Sequence, residues 1–404
     1  MLGSIATGRT EISGFLAGED CLATAAAMRG LGVNIEQRSA TDLLIDGAGR
    51  TGLQAPVGPL DLGNSGTAMR LMTGLLAGQS FDTVLTGDPS LSGRPMNRII
   101  KPLTMMGAVI EADCDGTPPL QIRGGVRLRG IHYEMPIASA QVKSCLLLAG
   151  LYGEGQTSVT EPAITRDHTE RMLRAMGVDV TTDAGTIGVV GGQDLHGCRI
   201  QVPGDLSSAT FIILGALLSQ AAEITIENVG INPTRAGVID ILKGMGADIR
   251  LENSRLFGEE PVADIRVGAS RLIGGDVDPA LVSLAIDEFP ALFVAAAAAE
   301  GETRFSGLEE LRVKESDRIA AMADGLRRLG IAVEETPDGA TVQGGAFGGV
   351  VVESYHDHRV AMSLAMAATI ADDDVVIRGV DNVNTSFPGF CECVSGLGAK
   401  VELV

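Results

Sequence analysis

The stretch LKGMGADI, residues 242–249, ends one kind of structure and begins another. An apolar residue, a short polar step, a methionine and a glycine followed at once by an apolar residue describe the last turn of an amphipathic helix. The glycine supplies the left-handed residue beyond that turn, and the chain then leaves as a strand. The same pattern recurs as MRGLGVNI (28–35), LTMMGAVI (103–110), LRAMGVDV (173–180), LRRLGIAV (326–333) and VSGLGAKV (394–401). Its glycines, Gly32, Gly107, Gly177, Gly246, Gly330 and Gly398, are 75, 70, 69, 84 and 68 residues apart. Near-constant spacing marks six copies of one supersecondary unit. Each copy carries a second helix that is apolar nearly all round, such as TAMRLMTGLLAG, QVKSCLLLAGLYG, SATFIILGALLS, FPALFVAAAAAEG and RVAMSLAMAATIA, and such a helix is a buried one. Alternating strands follow, as in FDTVLTG, TSVTEP and EITIENV. Six units of buried helix, strand, amphipathic helix and further strands predict an α/β protein of two lobes with three repeats each. The lobes are expected at residues 1–203 and 204–404, with the first repeat shortened and the seam at VPGDLSS.

Composition narrows the partners. The 404 residues include 45% hydrophobic side chains but only 3% aromatic ones and no Trp, so the core must be aliphatic. A net charge of −20 repels nucleic acid and anionic membrane, and no basic stripe interrupts it. Neither partner is expected; a small anion is, provided a few Arg and Lys converge locally. With no secretory apolar region and no run of 18 apolar residues, a soluble cytoplasmic protein is expected. The six Cys (21, 114, 145, 198, 391 and 393) form no C-x-x-C and read as reduced thiols.

Polar residues gather where the buried helices begin: GNSGT (63–67), SAQ (139–141), GDLSS (204–208), DEFP (287–290) and DHR (357–359). Asn, Ser and Asp there are ordinary N-caps. The same positions are also anion sites, because free amide groups and the positive end of the helix dipole meet there. Arginines recur just before the amphipathic helices, in RPMNR (94–98), RDHTER (166–171), NPTR (232–235) and RVKESDR (312–318). Their guanidinium groups suit carboxylates and phosphates. GAGRTG (47–52) matches a dinucleotide fingerprint, but the prolines after it bar the helix such a site needs. YHDHR (355–359) brings no metal-ligand set with it. No metal and no cofactor is expected.

LGNSGTAMR, RPMNR, ASAQVKS, RDHTERML, DEFP, GLEELRVKESDR, DHRVAMS and TSFP, in this order along the whole chain, resemble the 5-enolpyruvylshikimate-3-phosphate synthases, most closely the class II bacterial enzymes. The resemblance implies two lobes of three βαβαββ units, an inside-out α/β barrel closing over an interlobe cleft. It implies transfer of the enolpyruvyl group of phosphoenolpyruvate to the 5-hydroxyl of shikimate 3-phosphate, in the shikimate pathway, by a monomer. By motif, Ser139, Ala140, Gln141 and Arg166 would hold shikimate 3-phosphate, while Arg94, Gln141, Arg318 and Arg359 would bind phosphoenolpyruvate beside Gly66. Asp287 would take the hydroxyl proton, Lys314 would lie beside that hydroxyl, and Glu315 would relay a proton to the methylene carbon. Lys314, Glu315 and Arg318, three and four residues apart, would share one helix face. Glyphosate-tolerant relatives carry Ala at the position of Gly66, so glycine predicts sensitivity.

Two other functions compete with this one. A transferase acting on UDP-N-acetylglucosamine shares the fold, but its reactive Cys loop has no counterpart near SLSGRP. A form that keeps the fold without turnover is the other. In later repeats the site motif stands fourteen residues before a helix-end glycine: Asn64 to Gly78, Ser139 to Gly153 and Asp287 to Gly301. Counted back from Gly8, the first copy would fall roughly six residues before Met1. The family has PGDKSxxHR there, so a chain starting at Met1 is expected to be badly impaired relative to one extended upstream.

Overall fold

The computed structural model describes residues 1–219 and 223–403. Two compact units divide the chain: Met1–Val202 with Phe257–Glu259, and Pro203–Leu256 with Glu260–Val404. Among the described residues each unit carries three sheets. In the first they have five, four and four strands; in the second, three, three and two.

All six repeated glycines have positive φ, between 86° at Gly32 and 101° at Gly107 and Gly398. The two hydrogen bonds of a Schellman turn close each of them. At Gly246, its own N–H donates to Lys243 O (2.9 Å) and the next N–H, of Ala247, donates to Leu242 O (3.0 Å). The pairs Val33–Met28, Ala108–Leu103, Val178–Leu173, Ile331–Leu326 and Ala399–Val394 repeat the second bond. These pairs also explain why the motif needs an apolar residue after the glycine and another five places earlier: the two side chains meet across the turn. A strand follows the first five turns, but residues 399–403 form none after the sixth.

The buried helices are Gly66–Ala77, Ala140–Gly150, Leu206–Leu218, Phe289–Ala298 and His358–Ala368. Each joins two chain segments that pair in parallel, as a crossover must. The registers are Leu60↔Leu85, His132↔Ser158, Gly204↔Val229, Ile273↔Glu300 and Val351↔Val376. For Gly66–Ala77, Ala140–Gly150 and His358–Ala368 these segments are strands, and the helix begins beyond the carboxyl end of the first, which is where open α/β sheets bind ligands. The short helix Leu2–Ile5 is wholly buried, as expected for MLGSIATG. It stops at Ile5, however, and Gly8 lies in the strand Ala6–Ser13. GAGRTG begins in the last two residues of the strand Leu43–Ala48 and opens no helix.

Cores built this way are aliphatic. In the first unit Met69, Met72, Leu75 and Leu76 face Cys145, Leu146 and Leu147; in the second, Ile213, Leu292, Val294 and Leu364 join Phe289 and Phe305. Neighbouring glycines give a clean test of the repeat logic. Gly246→Ala should cost about 1–2 kcal/mol in urea unfolding, because its φ of +93° is left-handed while a methyl would meet only ordinary contact. Gly244→Ala, inside the helix Gly237–Gly244 with open space at its Cβ, should instead stabilise by about 0.5 kcal/mol.

Candidate active site

In the first unit the starts of two buried helices touch. Ser65 caps its helix by accepting from Ala68 N, and Ser139 caps the other by accepting from Val142 N. Arg70, one turn into the first helix, donates to Gln141 Oε1 on the second (2.8 Å), and Gln141 Nε2 donates back to Thr67 Oγ1 (2.8 Å). Arg94 reaches the same turn from the loop after Pro89–Ser92, donating to Asn64 Oδ1 (2.7 Å) and Ser90 Oγ (3.2 Å). Asn64 in turn donates to Asp88, which caps that short helix. Gly66 lies between the two guanidinium groups. A Cβ there would stand 3.0 Å from Arg70 Nη1 and 3.2 Å from Arg94 Nη1, so glycine lets both cations close on one helix end. Ala140 opens the second helix, and Arg166 lies in the irregular loop before His168–Ala175.

In the second unit three buried helices pack together and their first turns are bonded to one another. Ser207, Glu288 and Arg359 each stand at the start of one. Ser207 Oγ donates to Glu288, and Arg359 Nη1 lies 3.9 Å from Glu288 and donates to Asp287 O (3.1 Å). Asp287 precedes its helix, whose N-cap is Glu288 without a side-chain cap bond. Asp205 caps Leu206–Leu218 and accepts from Arg235 (2.7 Å).

The stretch 312–318 is not the single helix that its spacing suggests. A 3-10 turn spans Glu309–Val313, the chain breaks at Lys314, and a new helix starts at Arg318. Asp317 sets that start by accepting from Ala320 N, and its other oxygen holds Arg312 (2.8 Å). The charges converge all the same. Arg318, 1% exposed, is paired with Asp357, 0% exposed, at 2.8 Å. Glu315 holds the same guanidinium at 2.7 Å, and Asp287 Oδ1 lies 3.5 Å from it and 3.9 Å from Lys314 Nζ. Lys314 is tied also to Glu310 (3.2 Å).

Burial resists charge on Asp357 and on Glu315, but Arg318 outweighs it and holds both carboxyls below their usual range. As arranged, Glu315 carries no proton near neutral pH, so a relay through it must first receive one. Burial alone would lower the Arg318 guanidinium; Asp357, Glu315 and Asp287 raise it further above its ordinary value. Burial and the charge of Arg359 bring His358 down to about 4.

Sequence reasoning placed the ends of these helices but passed over Arg70 and Asp357 as individual groups. Arg70 had one signal, a single charge inside an otherwise apolar helix. Among the described residues no group of three or more His, Cys, Asp or Glu is gathered as a metal site, and no helix is long and apolar enough to cross a membrane.

Fold and geometry together define an α/β protein of repeated crossovers that collects cations at buried helix ends. Residues 1–394 match the family described as EPSP synthase (3-phosphoshikimate 1-carboxyvinyltransferase). The 3-phosphoshikimate 1-carboxyvinyltransferase of Alkalilimnicola ehrlichii is 58% identical over 402 residues, 99% of this chain and 90% of that one. That of Methylococcus capsulatus is 57% identical, covering 100% and 92%. The EPSP synthase structure from Acinetobacter baumannii superposes with a TM-score of 0.91 at 53% identity, covering 100% of this chain and 93% of that one. The chain belongs to the EPSP synthase family.

Two measurements probe the electrostatics. Arg318→Met strands Asp357 as a buried carboxylate and should cost about 3–5 kcal/mol in denaturant unfolding. His358 predicts a pH slope. The unfolded chain takes up this proton as pH falls through 6.5, whereas the folded protein resists until about 4. The stability His358 contributes is therefore lost across that window. Urea midpoints should fall from pH 7 towards pH 5, and His358→Gln should flatten that slope.

Proposed function

We propose that this protein transfers the enolpyruvyl group of phosphoenolpyruvate to the 5-hydroxyl of shikimate 3-phosphate and releases phosphate. Family membership over nearly the whole chain carries the reading. The chemistry of the helix ends supports it, since each substrate bears a phosphate and a carboxylate and the chain as a whole is strongly acidic.

From the first unit, Ser139, Ala140, Gln141 and Arg166 bind shikimate 3-phosphate, while Gly66, Arg94 and Gln141 bind phosphoenolpyruvate. From the second, Arg318 and Arg359 bind phosphoenolpyruvate, Lys314 lies beside the 5-hydroxyl and Asp287 accepts its proton. Asp287 suits that task because its oxygen faces both Lys314 and Arg318, which stabilise it as an anion without consuming it as a base. Addition to the enol carbon requires a proton at the methylene, and Glu315 is the group assigned to pass it. The tetrahedral adduct then loses phosphate together with a proton from the new methyl group, which restores the enol double bond. Fixed guanidinium groups stabilise the charge that develops on the way, with no reorganisation at the moment of reaction.

Phosphate release in the presence of both substrates is the decisive assay. Turnover with shikimate 3-phosphate, and none with UDP-N-acetylglucosamine, is the expected result; the reverse would overturn the assignment. Arg94→Ala and Arg359→Ala should each lower kcat/KM by about 10²–10³ with the fold intact. A loss below about fivefold at unchanged melting removes that arginine from its role. Gly66→Ala should weaken glyphosate inhibition and also raise KM for phosphoenolpyruvate, because its methyl presses on the two guanidinium groups that flank it. Unchanged inhibition would defeat this steric account.

A further inference from the structure

Lys143 is the single charge on the helix Ala140–Gly150, where every residue from Val142 to Gly150 is buried. Its side chain is 1% exposed. Lysine is almost never fully buried without a partner. Here the ammonium meets Glu161 at 2.9 Å and Glu170 at 2.7 Å, and donates to Thr165 O at 3.5 Å. The two carboxylates stand at opposite ends of one connection. Glu161 follows the strand Gln156–Thr160, and Glu170 lies in the first turn of His168–Ala175. Between them run residues 161–167, which form neither helix nor strand. Thr165 closes this loop further by donating its hydroxyl to Glu161, and Ser144 and Thr169 are bonded at 2.7 Å just beyond. Arg166 is the next residue after Thr165.

We infer that Lys143 is a positioning residue for Arg166, its ammonium gathering both ends of the loop against the helix that begins with Ala140 and Gln141. The inference rests on the substrate assignment above for what Arg166 holds, but the anchoring itself does not.

Stability alone gives no reason for this cluster. Three apolar side chains of similar volume would be as stable as two carboxylates sharing one cation, or more so. Oε2 of Glu170 is buried without a hydrogen-bond partner, and burial raises the pKa of that carboxyl while Lys143 opposes the rise. What the ions supply is direction. A loop of seven irregular residues has many conformations of similar energy, and only those that bring both carboxylates to one ammonium avoid a stranded charge. Arg166 is thereby set at a fixed distance from Ser139, Ala140 and Gln141. A shift of about 1 Å in such a group is enough to cost large factors in binding and rate.

The test removes the charges together, so that no buried ion is left alone. The full chain with Lys143→Met, Glu161→Gln and Glu170→Met is compared with the unsubstituted protein, and Glu170→Gln, which keeps the Lys143–Glu161 pair, serves as a milder variant. Amide exchange over residues 161–167 and calorimetric binding of shikimate 3-phosphate are measured on each. Exchange in the loop should quicken roughly tenfold or more in the triple variant, with cooperative unfolding retained. Its Kd for shikimate 3-phosphate should rise about tenfold or more, and Glu170→Gln should fall between the two. A folded triple variant whose loop exchange and affinity stay within about twofold would overturn the inference. Should the triple variant fail to fold, unchanged loop exchange and affinity in Glu170→Gln would overturn it as well. If the unsubstituted protein does not bind shikimate 3-phosphate, the substrate assignment falls, while the exchange comparison still decides whether Lys143 anchors the loop.

Discussion

A helix that is apolar on every face can be wrapped along its length, yet its first turn still presents amide groups with no partner inside the helix. This constraint organises each unit. Where a buried helix follows a strand that runs parallel to the strand after it, as Gly66–Ala77, Ala140–Gly150 and His358–Ala368 do, its unsatisfied end emerges at the carboxyl end of that strand. Ser65, Ser139, Asp205 and Asp357 meet the demand with side-chain caps. The remaining field at those ends is positive, and carboxylates, amides and hydroxyls hold the arginines there against it. Arg94 leans on Asn64, Arg70 on Gln141, and Arg318 on Asp357. Removing such supports would release the cations from those helix ends, so capping and cation placement draw on the same few residues.

The second unit shows how far this goes. Asp357 accepts from the N–H of Arg359 at its own helix end and from the Arg318 side chain of a different helix. One carboxylate thus fixes two arginines that are 41 residues apart in sequence. Its burial would be costly without them, and that of the Arg318 guanidinium would be costly without it. Surface pairs such as Arg304 with Glu302 contribute little by comparison, since solvent screens them.

The repeat was legible because its signal is local. A glycine needed for a left-handed residue, and apolar residues five apart that close on it, lie within eight positions, and no distant contact can rewrite them. The polar helix ends were legible for the same reason. The course of LRVKESDR was not, because two local preferences compete there: charge spacing favours a continuous helix, while Asp317 is a strong cap that starts a new one at Arg318. Which carboxylates surround Arg318 was hidden too, since Asp287 stands 31 residues before it and Asp357, from the next repeat, 39 residues after it. Arg70 and Lys143 carried a visible oddity, a lone charge in an apolar helix. Their partners lie 71 residues away in one case, and 18 and 27 in the other. No periodicity connects them.

Lone charges inside buried helices also act before the fold exists. A newly made or partly unfolded chain exposes these segments to other chains, and long uncharged apolar runs are what associate. Arg70 and Lys143 interrupt two of them with a group that stays hydrated until its partner arrives. Leu206–Leu218 and Phe289–Ala298 contain no such interruption. They are therefore the segments through which this protein is most exposed to aggregation whenever the second unit opens, and the segments most in need of burial early in folding.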